Sequence, residues 1–80
     1  MPDENQRALS AVRLEHAAQC LKAAESLLRD DDCKGAANRS YYAIFHAMRA
    51  VLALDGIDMK RHSGVMSEFR RLYIKTGILP

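Results

Sequence analysis

The spacing of apolar residues in the first thirty positions restricts what this chain can fold into more than any other feature. Leu14, Ala17, Ala18, Leu21, Ala24 and Leu28 recur at intervals of three and four. At about 100° per residue they fall in a stripe about 120° wide, which predicts an amphipathic helix from about Asn5 to Arg29. Asp30, Asp31, Asp32, Cys33, Lys34 and Gly35 then form a polar link, where an aspartate caps the next helix and favours its positive N-terminal end. A second helix is expected from about Lys34 or Gly35 to Leu54, closed by Asp55-Gly56, because Asp and Gly tolerate the left-handed conformation that ends many helices. Ala37, Tyr41, Ile44, Phe45, Met48, Val51 and Leu52 make its broad apolar face. A loop from Gly56 to His62 leads to Ser63, the expected N-cap of a third helix from about Gly64 to Lys75. There Val65, Met66, Phe69, Leu72 and Tyr73 share a face, and Gly77 with Pro80 ends the element.

With four Gly and two Pro as punctuation, and no strand alternation, repeat or Gly-rich phosphate loop, the fold class is all-α: an antiparallel bundle of three helices, the first two paired as a hairpin. Eighty residues make one domain, 1–80, since a chain of this length buries too little surface for a second core. A hydrophobic fraction of 49% with 28% charged residues is a globular balance. Apolar runs such as Val51 to Leu54 stop far short of the roughly 18 residues of a membrane span. The opening MPDENQRALS has no apolar core of a secretory signal, so a cytoplasmic chain with Cys20 and Cys33 as free thiols is expected. Three helices of this size build only a modest core. Further helices of a longer chain, or a second copy of this one, are expected to complete it.

The second helix carries the chemistry. Arg39 and His46 are seven positions apart, which places them about 20° from each other in azimuth and about 10.5 Å apart in rise. Tyr41, Ile44, Phe45, Met48, Val51 and Leu52 sit about 120° to 240° around the helix from Arg39, so the Arg39/His46 face is expected opposite the core. Ala36, Ala43, Ala47, Ala50 and Ala53 fall within about 80° of Arg39. A solvated face would carry Lys and Glu, so this alanine strip suggests a second packed surface, such as a copy related by a two-fold axis. A guanidinium holds a phosphate with permanent charge and a planar fork of donors, and an imidazole exchanges a proton near neutral pH. Together they supply what metal-free cleavage of an RNA phosphodiester requires. The same spacing also fits a buried polar pair that fixes a helix contact.

Asn38 and Tyr42 flank that face, Arg49 lies about 80° to its other side, and Lys60, Arg61 and His62 form a short basic loop. All six are candidate contacts for RNA. The net charge of +2 divides unevenly: six Lys/Arg against seven Asp/Glu in residues 1–40, and six against three in residues 41–80. The basic second half agrees with an anionic partner. His16 and Cys20, four apart on one helix face, lack the further ligands that a zinc site needs, so no metal is expected.

The run Asn38-Arg39-Ser40-Tyr41-Tyr42-Ala43-Ile44-Phe45-His46-Ala47, preceded by Arg13-Leu14-Glu15-His16-Ala17 and followed by His62-Ser63-Gly64-Val65 and Phe69, resembles the HEPN domain family over about residues 10 to 79. That resemblance implies an all-α bundle, usually dimeric, in which an Arg and a His with four to six residues between them form a metal-independent ribonuclease site at the dimer interface. Arg39 and His46 match this motif. The resemblance further implies a homodimeric endoribonuclease of toxin or stress-response type that needs no cofactor, with a minimal nucleotidyltransferase as its candidate antitoxin partner. Its alternative is a non-catalytic module that binds a nucleotide or a nucleotidyltransferase. Family bundles usually continue into further helices, and Met48 stands where many toxin members carry a modifiable tyrosine.

Overall fold

The computed structural model describes residues 1–79. Pro80, expected to help end the third helix, lies outside the described residues. The first helix, α1, runs Glu4–Arg29 and opens with a capping box. The Gln6 N–H donates to the Asp3 carboxylate at 2.8 Å, and the Asp3 N–H donates to the Gln6 side chain at 2.9 Å, which satisfies two N–H groups that a helix start leaves without partners. The acidic link divides its work among its residues. Asp31 takes the left-handed conformation, φ 62°, so that its N–H reaches the Leu28 carbonyl (3.1 Å) and the Asp32 N–H reaches that of Leu27 (2.8 Å), closing α1. Asp32 then turns its carboxylate to the Gly35 N–H at 2.8 Å and caps α2, Cys33–Leu54. A side chain at position 35 would strike that carboxylate, which explains a glycine inside the first turn.

The end of α2 repeats the device with glycine in the strained position: Gly56 has φ 76°, and the Ile57 N–H donates to the Leu52 carbonyl at 3.0 Å. Ile57 also packs on the buried cluster that contains Leu52, the apolar contact that accompanies this closure. The third helix, α3, spans His62–Phe69 and starts two residues earlier than its predicted beginning. Arg61 occupies the N-cap without a side-chain bond, and Ser63 lies within the first turn. From Arg70 to Ile74 the chain widens into a π-helical segment, in which the Lys75 N–H donates to the Arg70 carbonyl five residues back at 2.9 Å. The Tyr73 hydroxyl on this segment donates to the Asp55 carboxylate at the end of α2. Burial, then that bond and the charge of Asp55, push the hydroxyl pKa up to about 12.

Two kinds of packing hold the helices. Between α2 and α3 lies the large-residue core of Phe45, Leu52 and Val65, surrounded by Tyr42, Met48, Ile57, Met59, Leu72 and Tyr73. Along α1 and α2 the seam is alanine: Ala17 and Ala24 on one helix, Ala36, Ala43, Ala50 and Ala53 on the other, all buried. Small side chains let the two backbones approach, and the Ser10 hydroxyl crosses the seam to the Ala50 carbonyl at 2.7 Å. The alanine strip therefore packs within the chain, against α1, and not against a second copy as its position opposite Phe45 and Leu52 suggested.

That assignment displaces other residues. Ile44, Tyr41 and Val51, expected in the core, are exposed, Ile44 by 58%. Leu14 and Leu21 of α1 are 59% and 51% exposed. They rim an apolar groove of about 480 Å³ that Ala17, Ala18, Ser40, Ala43, Ile44 and Ala47 complete. Among the described residues no helix is long and apolar enough to cross a membrane.

Candidate functional site

A hairpin closed around Asp31 places side by side the positions equidistant from it. Fifteen residues in either direction lead to His16 and His46, and eighteen lead to Arg13 and Arg49. The structure brings these four together. The rings of His16 and His46 meet edge to face with centroids 5.5 Å apart. Asp58, in the loop after α2, accepts from Arg49 at 2.8 Å and from Arg13 at 3.3 Å. One carboxylate thus joins a guanidinium from each helix.

Arg39 and His46 lie on the same flank of α2, with Tyr42 between them. The Arg39 guanidinium is 4.9 Å from the centre of the Tyr42 ring, whose centroid is 6.4 Å from that of His46. Asn38 is exposed, and its side-chain oxygen accepts from Arg39 Nε at 3.3 Å and from a terminal Arg39 nitrogen at 2.9 Å. This bond and the stacking on Tyr42 fix the direction of a long side chain that would otherwise sample many rotamers. The flank is not opposite the protein interior as predicted. Packing of the alanine strip on α1 turns His46 inward, where it is half-buried beside His16, Phe45 and Tyr42.

The electrostatics follow from this placement. Nδ1 of His46 is buried and has no hydrogen-bond partner. Desolvation, and after it the positive neighbours His16, Arg49, Arg13 and Arg39, hold the His46 pKa below the ordinary imidazole value. Asp58 moves in the same direction, chiefly through its bond from Arg49, so it remains ionised well into acid.

The remaining predicted contacts divide. Lys60 and Arg61 are exposed in the loop before α3. Arg49 is not: it is 9% exposed and paired with Asp58, because a position about 80° from Arg39 toward Phe45 is covered by the returning loop. Nor is His62 a free loop residue. It begins α3, its ring centroid lies 4.1 Å from that of Phe45, and its Nδ1 shares a 3.0 Å hydrogen bond with the Tyr41 hydroxyl. Sequence reasoning missed His16, Arg13 and Asp58 as neighbours of His46. For the first two the signal was present in the position of the link; Asp58 comes from a loop whose path no periodicity fixes. Among the described residues no group of three or more His, Cys, Asp or Glu is arranged to hold a metal ion.

Known proteins share sequence with this chain. The family model described as HEPN domain matches residues 10–80. A protein of Thermotoga maritima named "UPF0332 protein" is 41% identical over 61 residues, 76% of this chain and 46% of the relative. "UPF0332 protein PH1297" of Pyrococcus horikoshii is 37% identical over 59 residues, 74% of this chain and 42% of the relative. "Putative toxin MJ0142" of Methanocaldococcus jannaschii is 36% identical over 66 residues, 82% of this chain and 45% of the relative. The chain spans about half the length of these curated relatives. No solved structure matches it at a significant level.

Proposed function

This chain belongs to the HEPN domain family, and from that membership and the geometry on α2 we propose that it is a metal-independent endoribonuclease, acting as a toxin or stress-response effector. The observation that carries the reading is the setting of His46, whose ring is neighboured by the guanidiniums of Arg13, Arg39 and Arg49 with one carboxylate, Asp58, among them. Excess positive charge of this kind favours a phosphate, and Arg39, already directed by Asn38 and Tyr42, offers it a planar fork. An imidazole held neutral near pH 7 accepts a proton from a ribose 2′-hydroxyl, while the guanidinium stabilises the charge that grows on the phosphorane. The toxin component draws on the relative named "Putative toxin MJ0142". Lys60 and Arg61 extend the basic surface toward the RNA backbone.

The active form is a homodimer in this reading. Among the described residues the large side chains fully removed from solvent are Leu52 and Val65, a small core for 80 residues. The groove rimmed by Leu14, Leu21 and Ile44 offers apolar area for a second copy. Purified protein should cleave RNA in the presence of chelator, and His46→Ala should abolish cleavage while helicity is retained. The second reading is a non-catalytic module for a nucleotide or a nucleotidyltransferase. Met48 favours it, being packed on the core at the position where a toxin-type tyrosine would stand. It predicts no turnover by the folded protein, with nucleotide binding weakened by Arg39→Ala.

A further inference from the structure

His46 is one proton carrier, and cleavage of a phosphodiester requires two transfers: one from the attacking hydroxyl and one to the departing oxygen. A second imidazole, His16, stands beside it on α1. His16 is exposed, unlike its neighbour Ala17, and its ring meets that of His46 at 5.5 Å with planes at 71°. The two imidazoles are thus within the span of a single phosphate bound at their common edge. Their surroundings differ in exposure. His46 is half-buried with Nδ1 enclosed, whereas His16 is open to solvent.

Resting on the ribonuclease reading, we infer that His16 is the general acid of the same site, paired with His46 as general base. Neutral His46 removes the proton of the 2′-hydroxyl, and O2′ attacks the adjacent phosphorus. The bond from phosphorus to O5′ then breaks, and protonated His16 gives its proton to O5′. The products are a 2′,3′-cyclic phosphate and a 5′-hydroxyl, with the proton now on His46 and absent from His16. Exchange with water restores both rings. The charged groups around His46 are Arg13 on α1, Arg39 and Arg49 on α2, and Asp58 in the following loop, which offsets part of their charge. The depressed His46 pKa agrees with its assignment as the base.

A leaving group that needs no proton separates this assignment from a structural one. Wild type, His16→Gln and His46→Gln, each verified as helical by circular dichroism, are assayed in chelator on two substrates. One is the RNA homopolymer that wild type cuts best, and the other is the 3′-(4-nitrophenyl phosphate) of the same nucleoside, whose nitrophenolate departs unprotonated. His16→Gln should slow the homopolymer by about 100-fold or more, the usual range for loss of a general acid, yet slow the activated ester by less than about fivefold. His46→Gln should lose both substrates. Equal losses on the two substrates in His16→Gln, or no loss on either, would overturn the assignment while leaving the ribonuclease reading intact. Wild type inactive on both would overturn that reading and this inference with it.

Discussion

At the scale of single residues, burial and four positive neighbours all push the His46 imidazole toward its neutral form. Its titration, followed by the ring-proton NMR shift, should therefore have a midpoint below the ordinary value of about 6.5. The linkage has a definite sign. Between the lowered native pKa and the unfolded value the unfolded chain binds more protons, so this contribution to stability is present above about pH 6.5 and is lost as pH falls toward the native pKa. Asp58 gives a second test. Asp58→Asn leaves the guanidinium of Arg49, 10% exposed, without its counterion. Replacing the charged acceptor of Arg13 and Arg49 with a neutral amide at this partly exposed position should cost about 1–2 kcal/mol in urea unfolding. The same variant should lower the His46 midpoint further, because a negative charge that offsets two guanidiniums is gone. A midpoint that rises in Asp58→Asn would contradict the electrostatic account.

At the scale of elements, the helices were legible where local chemistry decides them. The link at Asp30 to Asp32 and the stop at Asp55-Gly56 were visible in the sequence, because capping and left-handed closure depend on residues adjacent in the chain. Asp32→Ala should remove the cap of α2 and cost about 1 kcal/mol, lowering Tm by roughly 4–8 °C for a domain of this size. Asp31→Gly should raise Tm instead, since the left-handed conformation disfavours a side chain. The start of α3 was misplaced because Ser63 has the composition of a cap, while the loop fixes His62 through Phe45 and Tyr41. The π-helical segment carries no sequence signal of its own. Arg39, Tyr42 and His46 on one flank were legible from helical arithmetic. Which way that flank faces was not, because Ala36, Ala43, Ala50 and Ala53 serve equally well against a neighbouring helix or a neighbouring molecule. A basic side chain such as Arg49 likewise gives no sign that a loop aspartate will cover it.

At the scale of the whole molecule, the hairpin separates two chemistries. The alanine seam divides a charged edge of Arg13, His16, His46, Arg49 and Asp58 from an apolar edge of Leu14, Leu21 and Ile44. A second copy seated on the apolar edge would complete the small core without covering His46, so the dimer contact would lie away from the site and not around it as the family resemblance implies. Ile44→Lys should therefore turn a dimeric mass in light scattering into a monomeric one with helicity retained, and a dimer that persists would move the contact elsewhere. The central claim concerns the other edge, and incubation of RNA with wild-type and His46→Ala protein in excess chelator tests it most directly. The account predicts cleavage products carrying 2′,3′-cyclic phosphate ends from wild type and none from a fully helical His46→Ala. Intact RNA with wild type, or equal cleavage by both proteins, would contradict it.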